Sequence, residues 1–520
     1  MKALRFGHCV RTGIAPISLA MLGIAAGGSG ATPDNAPDRG KAAYDLHCAA
    51  CHGATGDGKG LASVWLFPRP RDFSAGQFKI QSTPNGSLPT DEDLLESITR
   101  GVPGTSMPGF AHLPEADRHA LVARIKHLTA FTDSAGRRVN RFEEAARRGE
   151  LKPRSVVPAE PPADANAVAT GRDLFIKFAC NACHGDSGAG DGPTAATLKD
   201  SQGFPLLPRD FNTAPFRGGH SGRDIYLRIL TGMAGTPMPP FGPELMSPEE
   251  RWALVHYIRS LRRPDAEVRD ILKLEDAFIR ARRVKKLPTD PADTQWERFD
   301  PVRIPLNPLW PEPKPIYAVA VTALHDGRRL AILCQWRDDI ANGAPVRVQD
   351  FQDGIALQFS MNGTTPFLGM GDKDNPVNLW FWRAGWQQEA DGRPHGLREQ
   401  YPSMHVDLYT QTNTLIHTAE AAKNLIALPH TSPVEDANAR GFGTLKSQSL
   451  ARQNVRGKGI WRDAHWSVLF TRELNSPDAE DVKLRLKQPV PVSFAVWNGE
   501  QGDRNGRKVI SNWYQLLLEP

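Results

Sequence analysis

The apolar positions of this chain change rhythm twice. Leu121-Val122, Ile125 and Leu128 fall on one face of a 3.6-residue period, and Leu254-Val255, Ile258 and Leu261 repeat that spacing. Each set predicts an amphipathic helix. Ahead of the second set, Ser247-Pro248-Glu249-Glu250 supplies an N-cap, a proline at the first helical position and an acid three residues after the cap, the pattern of a capping box. Residues 224–230 predict a further helix, with Gly232 beyond its end.

The surroundings of the two helices also repeat. Gly40-x3-Tyr44-x3-Cys48 answers to Gly171-x3-Phe175-x4-Cys180, and Gly56-Asp57-Gly58 to Gly190-Asp191-Gly192. Pro70-Arg71-Asp72-Phe73 matches Pro208-Arg209-Asp210-Phe211, and Gly104-Thr105-Ser106-Met107-Pro108 matches Gly235-Thr236-Pro237-Met238-Pro239. Two copies offset by 131 to 138 residues indicate a duplicated domain, not a solenoid. Each copy reads as a small all-α domain of three or four helices.

After about Pro288 the pattern becomes β-like. Apolar runs at 316–321, 330–336, 355–359, 466–470 and 490–497 are separated by turn signals, and ten of the twelve tryptophans fall in this part. An antiparallel β-sandwich fits that pattern. The fold class is therefore multidomain, two all-α domains followed by an all-β domain. The expected boundaries are 32–132 and 166–263 for the copies and 288–520 for the β domain. A Pro-rich linker (Pro153, Pro158, Pro161, Pro162) spans 133–165, and a charged helical connection spans 264–287.

The first 31 residues read as a secretory signal: Lys2, Arg5 and Arg11, an apolar stretch at 13–26, then Ser29-Gly30-Ala31 as a cleavage site. No twin-arginine pair is present, so Sec-dependent export to the periplasm is expected. An uncleaved anchor is the competing reading. Fourteen apolar residues broken by Pro16 are short for a span of about 20, and no later segment is apolar enough to cross a bilayer.

Composition adds little: 40% hydrophobic and 23% charged residues are ordinary for globular protein. Removing residues 1–31 takes three positive charges and lowers the formal charge from +5 to +2. No basic patch interleaved with aromatics survives to suggest nucleic acid. Of the six cysteines, Cys9 leaves with the signal and Cys334 lies in an apolar run as a buried free thiol.

The other four form Cys48-Ala49-Ala50-Cys51-His52 and Cys180-Asn181-Ala182-Cys183-His184. Two thiols three residues apart can each bond one vinyl group of a haem, and the adjacent imidazole then faces the iron. A redox dithiol or half a zinc site is the blander alternative. Zinc needs four ligands in one site, and no further cysteines lie nearby. The sequence thus predicts two covalently bound haems c, with Cys48, Cys51, Cys180 and Cys183 as attachment points and His52 and His184 as iron ligands.

Residues 35–131 and 166–263 resemble class I cytochrome c domains in the glycine-aromatic approach, the haem motif, the Gly-Thr-x-Met-Pro loop and the closing helix. That resemblance implies Met107 and Met238 as sixth ligands, with Met233 and Met246 as competitors in the second copy. A thioether there leaves no open position and raises the reduction potential relative to a second histidine. The other histidines, His47, His112, His119, His127, His220 and His256, are assigned no ligand role.

Residues 288–520 contain Gly369-Met370-Gly371-Asp372-Lys373-Asp374-Asn375-Pro376-Val377-Asn378-Leu379-Trp380-Phe381-Trp382 and end with Asn505-Gly506-Arg507-Lys508-Val509-Ile510-Ser511-x-Trp513. They resemble the haem-b-binding γ subunits of type II molybdenum enzymes, the ethylbenzene, dimethylsulfide, selenate and chlorate group. The resemblance implies one non-covalent haem b held between Met370 and Lys508, with Met361, Lys373, Met404, His405 and His465 as alternatives. It also implies periplasmic partners, molybdopterin and iron–sulfur subunits and other cytochromes. Members of that family are single-haem subunits, so the fusion is a departure.

These readings favour an electron-transfer subunit over an enzyme in its own right. The rival is a di-haem c oxidoreductase of peroxidase or thiosulfate-oxidising type, in which the β domain only docks. It requires an open iron position that two Gly-Thr-x-Met-Pro loops argue against.

Overall fold

The computed structural model describes residues 36–264, 275–312, 314–393 and 430–520, with isolated positions 273, 401–403 and 428. The expected signal, and Met404 and His405, lie outside these residues.

The first copy is built from α1 (Ala36–His47), α2 (Ala49–His52), α3 (Asp91–Arg100) and α4 (Glu115–Leu128). Its first and last helices cross closely, and Gly40 permits this: a β-carbon there would lie 2.4 Å from the Ala120 carbonyl oxygen. Tyr44, one turn on, is fully buried beneath the crossing, and Leu121, Val122, Ile125 and Leu128 fill the core. Thr90 and Asp93 cap α3 reciprocally.

A hairpin of β1 (Ala130–Thr132) and β2 (Arg138–Asn140) follows, then α5 (Arg141–Arg148). Phe142 of α5 is buried in the first copy's core, so the Pro-rich connection begins as an annex of that domain. Only residues 150–164 run without helix or strand.

The second copy repeats the plan with α6 (Ala165–Lys177), α7 (Cys180–His184), α8 (Gly222–Thr231) and α9 (Pro248–Ser260). Gly171 lets α6 cross α9, a β-carbon there falling 2.0 Å from the Ala253 carbonyl oxygen. The capping box at Ser247 and Glu250 is present, and α8 carries another at Ser221 and Asp224.

The second connection departs from expectation. Instead of a charged helix through 284, Glu275–Ala277 is a single 3-10 turn and Phe278–Arg283 is a strand, β3. Ile279 and Ala281 alternate with Arg280 and Arg282, a period of two that buries one face. β3 sits between β6 and β16, pairing parallel with both.

The remaining strands are β4 (Val302–Pro305), β5 (Asn307–Pro308), β6 (Ala318–His325), β7 (Arg329–Arg337), β8 (Gly354–Ser360), β9 (Val377–Arg383), β10 (Val434–Ala439), β11 (Lys446–Ser447), β12 (Arg456–Arg462), β13 (His465–Glu473), β14 (Val490–Trp497), β15 (Val509–Ile510) and β16 (Tyr514–Leu518), with α10 (Ala384–Ala390) after β9. Their order β11-β10-β9-β8-β14-β16-β3-β6-β7-β13-β12 folds into two layers. Trp382 of β9 meets Trp466 of β13 at 4.9 Å and Trp336 of β7 at 6.3 Å, so the β9 and β7–β13 halves face one another as a sandwich. Cys334 is fully buried in this core as a free thiol.

Candidate haem sites

In the first copy α1 delivers Cys48 and α2 places Cys51 and His52. The His52 Nδ1 shares a 2.9 Å hydrogen bond with the Arg71 carbonyl oxygen, and its ring stacks on Phe73 at 4.6 Å. A carbonyl can only accept, so Nδ1 carries the proton and Nε2 keeps its lone pair. Burial lowers the pKa of His52 and favours that neutral form. The Met107 loop is closed by Val102 N–H donating to the Met107 carbonyl at 3.0 Å and by Met107 N–H donating to Thr105 Oγ1 at 3.2 Å.

The second copy reproduces each contact. The His184 Nδ1 lies 3.1 Å from the Arg209 carbonyl oxygen, the ring stacks on Phe211 at 4.3 Å, and burial pushes its pKa down to about 4. Met233 N–H donates to the Met238 carbonyl at 3.1 Å, and Met238 N–H to Thr236 Oγ1 at 3.3 Å. Cys180, Cys183, His184 and Met238 are half-buried, whereas Met246 is 1% exposed within the apolar core.

The β domain presents a site by strand alternation. On β8, β9 and β14, residues Ile355, Leu357, Trp380, Trp382, Phe494 and Val496 point into the sandwich core. Their neighbours Ala356, Gln358, Leu379, Phe381, Ala495 and Trp497 line a cavity on the outer face. These strands are buried on both faces, which is why they read as continuous apolar runs.

That cavity has a volume of about 920 Å³ and is lined by Met370 and Lys508, and also by Cys48, Cys51, His52 and Met107. It therefore runs between the first α domain and the sheet. Leu66 and Ala62 of the α domain pack on Leu309, with Cys51, Phe367 and Ile510 around them. Phe67 N–H donates to the Leu309 carbonyl at 2.8 Å, and Asn512 Nδ2 to the Gly109 carbonyl at 3.1 Å. The volume is near the upper end of the ~300–1,000 Å³ usual for ligand cavities.

Met370 holds φ of +73°, a left-handed conformation that non-glycine residues adopt mainly under constraint. Its N–H donates to the Leu368 carbonyl, and its own carbonyl accepts from Gly441 N–H, both at 2.9 Å. The Lys508 ammonium sits 4.7 Å above the Trp497 ring, and burial lowers its pKa to about 8. Among the described alternatives, His465 and Lys373 are exposed, and Met361 packs beside Asn438.

Residues 37–129 and 168–262 match the cytochrome c family, and residues 293–509 match the family described as ethylbenzene dehydrogenase. The chain joins two cytochrome c domains to one ethylbenzene dehydrogenase-type domain. It is 28% identical to the chlorate reductase subunit gamma of Ideonella dechloratans, over 44% of this chain and 78% of that protein. The dimethylsulfide dehydrogenase subunit gamma of Rhodovulum sulfidophilum is 25% identical over 45% of this chain and 77% of its own length. A chain of a reducing HAO-like protein complex from Kuenenia stuttgartiensis is 40% identical, with 43% of this chain and 96% of that one aligned at a TM-score of 0.39.

The donor sets of the cytochrome c domains fit covalent haem: paired free thiols, an imidazole with its lone pair free and a thioether in a closed loop. The ethylbenzene dehydrogenase-type domain offers a thioether and a destabilised ammonium in one apolar cavity. Sequence reasoning gave no role to the repeated Pro-Arg-Asp-Phe. Its arginine carbonyl fixes the histidine tautomer and its phenylalanine stacks on the imidazole. The repetition in both copies was the available signal. Among the described residues no helix is long and apolar enough to cross a membrane.

Proposed function

We propose that this protein is an exported electron-transfer subunit carrying two haems c and one haem b, working beside a molybdenum oxidoreductase and other periplasmic cytochromes. Bound haem supplies a one-electron couple at each site. The observation that carries the reading is the single cavity lined by both His52 with Met107 and Met370 with Lys508. The γ-subunit names of the relatives motivate the choice of partner.

The residues divide the task. Cys48, Cys51, Cys180 and Cys183 would anchor haem c through their thiols, and His52 and His184 would hold its iron through Nε2. Met107 and Met238 would hold the same irons through their thioethers, which would leave neither c site a place for substrate. Met370 and Lys508 would hold the haem b iron, and Lys508 could do so only as the neutral amine, which its burial favours. Leu379, Phe381 and Trp497 exclude water from the cavity. With the three haems bound, the domain order (ethylbenzene dehydrogenase-type domain, first cytochrome c domain, second cytochrome c domain) would set the order of electron transfer, in either direction. A pyridine haemochrome assay of fully loaded protein is expected to give two haems c for each haem b. A ratio of two to none overturns the haem b site.

A further inference from the structure

Between the two cytochrome c domains lies a group of cations that no salt bridge among the described residues neutralises. Arg71 and Lys79 of the first copy correspond in spacing to Arg209 and Arg217 of the second. Arg71 Nε and Nη2, Arg209 Nε and Arg217 Nε are all shut off from solvent without a hydrogen-bond partner. None of the four side chains forms a salt bridge among the described residues; the Tyr317 side chain hydrogen-bonds Arg209, and Asp72, Asp200 and Asp210 act on the group only from farther away. Burial lowers the pKa of Lys79 to about 7 and of Arg217 to about 9, and repulsion from neighbouring arginines adds to this. Nitrogens of half-buried guanidinium groups left without an acceptor are unfavourable, and an anionic counterpart at this junction would satisfy them.

The placement of the cations is crossed. Arg71 reaches over the methionine loop of the second copy, where a β-carbon on Gly235 would lie 2.8 Å from its Nη1. Arg209 does the same to the first copy: a β-carbon on Gly104 would lie 2.8 Å from its Nη1, and its Nη2 donates to the Gly104 carbonyl at 3.3 Å. Arg217, although part of the second copy, lines the cavity that holds His52 and Met107, together with Arg71 and Lys79.

We propose that these four residues form a shared clamp for the propionates of the two haems c, in which the arginines of each cytochrome c domain neutralise the haem carried by the other. Two haems bring four carboxylates, which match four cations in number and sign. Guanidinium groups suit this role because they pair with carboxylates bidentately. Such a clamp would place charge from one domain beside the haem of the other, where it would bear on that haem's potential. This inference rests on the haem c reading above, which the haemochrome ratio tests separately.

The experiment uses the full-length holoprotein and reads potentials by spectroelectrochemical titration. A Met238→His background moves the second copy's wave to lower potential and leaves the first copy's wave identified. Adding Arg217→Gln is expected to lower the first copy's wave, changing its reduced-to-oxidised ratio at fixed poise by about tenfold, as for a unit charge some 10 Å away at an effective dielectric of about 20. Arg217→Lys, which keeps the charge, should leave that wave near its starting position. In the mirror test, Arg71→Gln in a Met107→His background should lower the second copy's wave. Haem staining and unchanged visible spectra confirm that each variant is loaded and folded. Shifts confined to the substituted residue's own domain overturn the crossing, and no shift in either test overturns the clamp.

Discussion

Lys508 offers the most demanding test of the proposed haem b site, because its amine must lose a proton before it can bind iron. Burial takes it from 10.5 to about 8. Roughly one molecule in ten then carries the neutral amine at pH 7, against roughly one in three thousand for an ordinary lysine. The pocket thereby removes about 3 kcal/mol from the free energy that iron must supply to displace the proton. Below pH 8 each further unit of acid weakens ligation tenfold, so ligation is complete on the alkaline side and lost as the pH falls. In protein lacking haem b the same shift has the opposite face. The unfolded chain holds a proton that the folded chain releases between about 8 and 10.5. Folded stability therefore rises with pH across that window, and Lys508→Met should be more stable than the parent below it. The assay is a spectral titration of the loaded protein from about pH 9 to about pH 4. It should show a transition in the haem b bands while both haems c stay intact. Lys508→Ala should lack that transition. Lys508→Arg should not restore it, since a guanidinium stays protonated. A Lys508→Ala protein with an unaltered haem b spectrum and acid titration would refute the assignment.

Met107→Ala and Met238→Ala should each abolish the sulfur-to-iron charge-transfer band of one haem c, lower its potential and admit carbon monoxide; an unchanged spectrum in either shows the wrong ligand was assigned. Gly171→Ala drives a methyl group to within 2.0 Å of the Ala253 carbonyl oxygen and should destabilise the second cytochrome c domain by about 1–3 kcal/mol. Its thermal midpoint measures this, and an unchanged value contradicts the close helix crossing.

The sequence made the repeated features plain and left the joint features obscure. The haem motifs, the capping box at Ser247 and the closing helices are local patterns whose chemistry lies within a few residues. The long strands were legible as apolar runs, but not their two-sided character: Leu379 and Phe381 face the cavity while Trp380 and Trp382 face the sandwich core. β3 was misread as helix because Arg280, Arg282 and Arg283 suggested a charged surface helix, and its pairing with β16 spans more than two hundred residues. The common cavity depends on contacts such as Phe67 with Leu309 and Gly109 with Asn512. Separations of that size leave no periodic trace in a single sequence.

The interlock of the domains changes what governs the internal electron steps. Arg100 Nη2 donates to the Gly218 carbonyl at 2.9 Å, Arg228 Nη1 to the Lys79 carbonyl at 3.3 Å, and Gly104 N–H to Asn307 Oδ1 at 3.2 Å. Carriers on flexible tethers must find one another by diffusion, and their exchange slows in viscous solvent and responds to ionic strength. Here hydrogen bonds to backbone and side-chain oxygens join the three domains, so with the proposed haems bound the separations between irons would be fixed before any electron arrives. Internal transfer should then be indifferent to glycerol and to salt, and sensitivity to either will belong to the encounters at the two ends of the chain of carriers.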